Sequence, residues 1–174
     1  MHQPTLFTIG HSARPLADFL GLLREAGVEQ LVDVRSVPRS RHNPQFEGEA
    51  LAQSLPAAGL AYRHASRLGG FRRARRDSPN TGWEHPSFRG YADYMGTAEF
   101  GAALERLQRE GRERPTCVMC AEAQWWRCHR RLIADALVVR GWRVPHLGLG
   151  AAPTDHELTP FAVVDGASIT YPPM

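Results

Sequence analysis

The chain has 174 residues, 43% of them hydrophobic, with 21 basic against 18 acidic side chains. A chain of this length forms one domain and buries about two-thirds of its unfolded surface without disulfide or metal staples. No stretch, including 141–150 with its single Arg143, approaches the ~20 apolar residues of a membrane span. The start, Met1-His2-Gln3-Pro4-Thr5, lacks the basic-then-apolar layout of a leader, and three cysteines fit a reducing compartment. A cytoplasmic protein with no membrane partner is therefore expected. A net charge of +3 permits a nucleic-acid partner without requiring one. Every basic residue is Arg, a pattern that coding bias produces, so placement rather than number carries information.

Leu6-Phe7-Thr8-Ile9 reads as a strand ending at Gly10. Pro15 then opens a helix with Leu16, Phe19, Leu20 and Leu23 on one face and Gly27 as its stop. Leu31 to Val34 is a second strand, 47–57 a weaker helix, and Leu60-Ala61-Tyr62 a short third strand. From Ala65 to about Phe88 no period appears. Such a long irregular stretch is usually functional or disordered. Tyr91 to Glu110 is helical but interrupted at Gly96 and Gly101, with Thr97 capping a second piece. Thr116 to Cys120 is a fourth strand, a helix runs from about Trp126 to Gly141, and Trp142–Leu147 is a fifth strand. Beyond Gly148 the tail reads as irregular.

This alternation predicts a single α/β domain over 1–174: a three-layer sandwich on a mainly parallel sheet of about five strands. In a parallel sheet all strand C-termini share one edge, where ligands bind. The segments following the strands hold most of the His and a large share of the Arg, whereas the opposite turns look ordinary.

Within these segments, Asp33 and Arg35 point to one face, as a general base with its neighbour or as a structural ion pair closing the sheet edge. Arg39, Arg41 and His42 follow, and arginine forks suit bidentate recognition of phosphate or carboxylate. Gly69-Gly70 would let backbone approach a ligand, or mark a turn. Asn80, Trp83, Phe88 and Tyr91 interleave with the arginines of this run, a mixture that suits base stacking or a small satellite core. The densest segment runs from Met119 to Arg130. Glu122 after a strand, then Arg127, His129 and Arg130 at a helix start, offers acid–base and anion-holding groups. Glu122 could instead answer the helix dipole.

Cys117, Cys120, Cys128 and His129 raise a zinc reading. Residues three apart on a strand point to opposite faces, so Cys117 and Cys120 would not share an ion, and no metal or cofactor is expected. As a thiol, Cys128 is better placed than Cys120, because a helix N-terminus and Arg130 lie beside it, whereas Glu122 disfavours a Cys120 thiolate.

Thr8-Ile9-Gly10-His11-Ser12, Leu31 to Arg41, Leu68-Gly69-Gly70, Gly90 to Met95, Met119-Cys120-Ala121-Glu122 and Arg127-Cys128-His129-Arg130 together resemble the bacterial family called domain of unknown function 488, through His156-Glu157-Leu158-Thr159. The resemblance implies an α/β domain of this size and leaves the reaction open. The residues themselves point to an enzyme acting on a phosphate-bearing ligand, nucleic acid or nucleotide, by metal-independent hydrolysis. Asp33 or Glu122 would activate water and His129 move the proton. His11, Ser12, Arg35, Arg39, Arg41, Gly69, Gly70, Arg127 and Arg130 would line the site. A non-catalytic binding module and a sulfurtransferase-like thiol enzyme using Cys120 or Cys128 are the alternatives. The oligomeric state is left open.

Overall fold

The computed structural model describes residues 3–174; Met1 and His2, with which the reading of the chain's start begins, lie outside the described residues. In chain order the elements are β1 (Phe7–Gly10), α1 (Leu16–Glu25), β2 (Gln30–Asp33), α2 (Gly48–Ala57), β3 (Ala61–His64), α3 (Pro86–Tyr94) and α4 (Ala98–Glu113). There follow β4 (Thr116–Cys120), α5 (Arg130–Val139), β5 (Pro145–Leu147), β6 (Thr154–Asp155), β7 (Val163–Asp165) and β8 (Ser168–Thr170). The main sheet has the order β3-β2-β4-β1-β5-β6, parallel throughout except for the antiparallel pairing of β6 with β5. No helix among the described residues is long and apolar enough to cross a membrane.

Burial explains the layers. β2 and β4 are buried along their whole length, as strands covered on both faces must be. Leu31, Cys117 and Met119 face one core with Phe19 and Leu23 of α1 and Leu51 and Leu55 of α2. Val32, Val118 and Cys120 face the other, packed with Tyr91, Phe100, Leu104, Leu132 and Ile133 of α3, α4 and α5. Cys117 and Cys120 thus lie on opposite faces, as strand geometry requires.

Several boundaries differ from the sequence reading: β5 begins at Pro145 rather than Trp142, and β3 runs to His64 rather than Tyr62. α3 begins at Pro86 rather than Tyr91, with Pro at its first turn and the His85 side chain accepting from the Ser87 N–H. Its pattern is obscured because a loop carbonyl, that of Arg72, presses within 2.0 Å of where a Gly90 Cβ would stand. Gly101 does not interrupt α4: the site is open, and Phe100, Leu104 and Leu107 on the buried face outweigh the ~1 kcal/mol cost of a helical glycine. α5 starts at Arg130, since Trp125–Arg127 forms its own 3-10 turn and Cys128 is extended.

The tail beyond Gly148 is not irregular throughout. It adds β6 to the sheet and folds β7 and β8 into a hairpin at Gly166, whose φ of +63° is one a glycine adopts without strain. A buried polar chain fastens it. The Asp135 carboxylate accepts from the Tyr171 hydroxyl (2.8 Å), the Thr159 N–H (3.1 Å) and Nε2 of His156 (2.7 Å). Nδ1 of His156 meets Nε2 of His146 (2.9 Å), whose own Nδ1 meets the Thr8 hydroxyl. The chain ends on a single buried carboxylate. Asp135→Ala would orphan three buried donors at ~1–3 kcal/mol each. A loss of at least about 3 kcal/mol is expected in urea unfolding monitored by circular dichroism, and Tyr171→Phe should lose less than half as much.

Candidate functional site

The order of the strands decides where a cleft opens. From β1 the chain moves toward β2 and β3 with α1 and α2 on one face; from β4 it moves to β5 with α5 on the other. Adjacent strands whose connections leave in opposite directions leave a crevice beyond their carboxyl ends. Here those strands are β1 and β4. Their exit loops bond to each other, His11 N–H to the Cys120 carbonyl at 2.9 Å and Ser12 N–H to that of Ala121 at 3.0 Å. Gly10 permits this, for a Cβ there would stand 1.9 Å from the Glu122 carbonyl oxygen. The open cleft, about 460 Å³, is lined by His11, Ser12, Arg39, Arg41, His42 and Glu122, among others.

Arg35 is the hub beneath the cleft. Its Nε and Nη2 close on the Asp33 carboxylate at 2.9 and 2.7 Å, and Nη2 also donates to the Phe46 carbonyl at 2.8 Å. Nη1 reaches Nε2 of His11 at 3.3 Å and the Arg39 carbonyl at 3.4 Å. Asp33 is fully buried and also accepts from the Tyr62 hydroxyl at 2.6 Å. Burial and the facing Asp33 carboxylate push the Tyr62 phenol well above its ordinary value. His11 stacks on Phe46 at 4.4 Å and donates Nδ1–H to the Ser12 carbonyl, leaving Nε2 to accept from Arg35. Burial, with the Arg35 charge, holds its pKa low. Asp33 and Arg35 are therefore spent on each other, and neither presents a free group to solvent.

The loop from Cys120 to Arg130 supplies the rest. Arg130 is buried, and its Nη2 donates to the carbonyls of Glu122 and Ala123, both at 3.1 Å. His129 donates Nε2–H to the Val34 carbonyl at 2.7 Å, so Nδ1 carries the lone pair. Burial pushes its pKa down to about 4. Gly70 lies against this imidazole, and Gly69 lies against Ser36, with a Cβ position 2.7 Å from the Ser36 Cα. The paired glycines thus admit neighbouring protein, not an exposed ligand path. Trp125 stacks on His146 at 4.6 Å and ties the loop to the buried chain of the tail.

The residues singled out from sequence all lie at one edge but not in one cleft. His11, Ser12, Arg39, Arg41 and Glu122 line it. Asp33, Arg35, Cys120 and Arg130 are buried, His129 and Cys128 are partly buried, and Arg127 is exposed, bonded to Gln124 at 3.2 Å. Among the described residues no three His, Cys, Asp or Glu side chains are grouped to hold a metal ion. The reading gave Asp135, His146 and Tyr171 no role. Their only signal was a set of polar residues in otherwise apolar segments.

Fold and cleft together define an α/β protein with a polar site at a topological switch point. The family model for the Domain of unknown function DUF488 matches residues 15–137, and the chain belongs to that family. The Thr8–Ser12 and His156–Thr159 motifs fall outside the matched segment. No curated protein and no solved structure matches the chain.

Burial also lowers His146, to about 2. For His129 and His146 the folded pKa lies below the ~6.5 of an unfolded histidine. The folded state then binds fewer protons, so stability is full above pH 6.5 and falls as pH drops toward 4 and 2. Each contributes up to about 1.4 kcal/mol per pH unit. Urea midpoints should drop steeply between pH 7 and 5, and a flat profile would contradict the neutral, buried assignment.

Proposed function

We propose that the cleft between the β1 and β4 loops binds a phosphate-bearing ligand, a nucleotide or short single-stranded nucleic acid, and hydrolyses it. The observation that carries this reading is the pairing of free charges in the cleft. Arg39 and Arg41 are exposed there and join no ion pair among the described residues. Their forks suit bidentate contact with phosphoryl oxygens, and such contacts offset the charge that grows in the transition state. Glu122, exposed on the same cleft, is the carboxylate placed to take a proton from water. Asp33 holds Arg35 instead. Of the histidines, His42 lines the cleft, whereas His129 does not, so His42 takes the part of proton donor to the leaving oxygen.

The ligand class follows from exposed rings on two strand-end loops of the same sheet edge. Phe71 is 88% exposed and Trp126 41%, on the loops after β3 and β4. Exposed arginines flank them: Arg67, Arg73 and Arg76 near Phe71, and Arg127 next to Trp126. Basic side chains with exposed rings suit a sugar–phosphate chain with unstacked bases.

Binding of inorganic phosphate and of a fluorescent twelve-residue oligothymidylate, at two salt concentrations, tests the reading. Arg39→Lys and Arg41→Lys keep charge but lose the fork, and each should weaken both probes several-fold at both salts. Phe71→Ala and Trp126→Ala should weaken the oligonucleotide by ~1–3 kcal/mol and leave phosphate unchanged. Glu122→Gln should keep affinity and lose turnover in a mass-change screen of nucleotides and oligonucleotides. Wild-type binding without turnover of any of them would reduce the protein to a binding module, and silent Lys variants would remove the anion clamp.

A further inference from the structure

Arg130 poses a problem of charge that the cleft does not answer. Its side chain is 1% exposed, and its Nε and Nη1 are buried without a hydrogen-bond partner. No carboxylate pairs with it among the described residues. A buried guanidinium with neither counter-charge nor full hydrogen bonding is costly. The ionisable groups that its charge favours as anions are thiols. Cys120, at the end of β4, and Cys128, just before α5, both sit in its field.

The two thiols are built into one another. Cys120 Sγ contacts the Glu122 carbonyl at 3.4 Å. Cys128 Sγ accepts the Arg130 N–H at 3.4 Å and lies 3.4 Å from the lone pair of His129 Nδ1. Cys120 Sγ and Arg130 Nη2 share the Glu122 carbonyl, and both cysteines pack in the same core cluster. Burial pushes the Cys120 thiol up, but the neighbouring Cys128 thiol and the Arg130 charge together bring it below its ordinary value. Cys128, beside that sulfur and buried, is pushed up. The other titratable groups facing the pair are Glu122, Cys117, Tyr91 and His129; Arg130 is the cation. The unexpected feature is the order, since the sequence placed the better thiol at Cys128.

We infer that Cys120 and Cys128 form a reactive dithiol site, with Cys120 as the nucleophile and counter-ion of Arg130, that closes to a reversible disulfide under a hydroperoxide. The Cys120 thiolate attacks one peroxide oxygen, the O–O bond breaks, and the departing hydroxide takes a proton to become water. Cys120 is then a sulfenic acid. The Cys128 sulfur attacks it as its proton passes to the leaving oxygen; the S–S bond forms, the S–O bond breaks, and a second water departs. Two thiols lose two electrons to one peroxide. Cys117, fully buried in the opposite core, stays out of the reaction. This site is independent of the phosphate reading, since neither step needs a ligand in the cleft.

Trypsin separates the partners, because it cuts after Arg127, leaving Cys120, together with Cys117, in a peptide over 113–127 and Cys128 in one over 128–130, so the Cys117→Ala chain identifies the sulfur. The reduced full chain, treated with a few equivalents of hydrogen peroxide and blocked with iodoacetamide, should yield these two peptides joined. The link should persist in Cys117→Ala, vanish in Cys120→Ser and Cys128→Ser, and reverse with dithiothreitol. A measurement without substitution accompanies it. In the native wild type, iodoacetamide should label Cys120 or Cys128 at least ten-fold faster than Cys117. Peroxide that leaves the two peptides unlinked in wild type and Cys117→Ala, or equal labelling of all three thiols only in denaturant, would overturn the assignment.

Discussion

The functional edge rests on the ion pair of Asp33 and Arg35. Two residues apart at the end of a central strand, they form a bidentate pair shielded from water. Arg35 then spends its remaining donors on backbone carbonyls and an imidazole from the loops around it. Asp33 takes the Tyr62 hydroxyl from β3. One pair thus fixes the exit loops of β1 and β2 relative to strand β3. Desolvation offsets most of what such a pair gains, so its contribution is better described as geometry than as stability. It works with the Gly48 N–H on the Pro38 carbonyl and the Glu47 carboxylate on the Ser40 N–H to hold the segment carrying Arg39 and Arg41.

A second polar arrangement does the same for the far side of the sheet. Asp135 collects donors from α5, the tail and, through two imidazoles, the Thr8 hydroxyl of β1. Trp125 lies on His146, so the loop between β4 and α5 is held from the tail as well as from the cleft. The tail is therefore part of the support for the site, although it lies beyond the segment that the family model matches. Both clusters are fully paired. Arg130 is the exception, and its unpaired nitrogens fall beside the two thiols rather than in the open cleft.

Much of the fold was legible because its signals are local. Phe19 and Leu23, or Leu51 and Leu55, repeat at four residues and mark buried helix faces. Gly27 stops the first helix with a φ of +76°, and Thr97 caps α4 by accepting from the Phe100 N–H. The Asp165-Gly166 pair between apolar residues was an available hairpin signal that the reading of an irregular tail passed over. α3 was cut short for a different reason. Gly90 is buried by a loop far away in sequence, and that packing leaves no periodic trace.

The sequence by itself determined which edge of the sheet carries polar chemistry, since a parallel strand order sends every strand-end segment to one side. It also determined that Cys117 and Cys120 face opposite ways, because side chains alternate along a strand. Only the tertiary structure decided how the charges divide. Asp33 and Arg35 neutralise each other under burial, whereas Arg39, Arg41 and Glu122 stay in solvent at the cleft. Gly69 and Gly70 admit Ser36 and His129 rather than a ligand. Of the two thiols beside Arg130, burial and neighbours push Cys128 up, whereas the Arg130 charge and the adjacent thiol bring Cys120 down. Ionisation and pairing depend on distance and on exclusion of water, and neither is written in spacing along the chain.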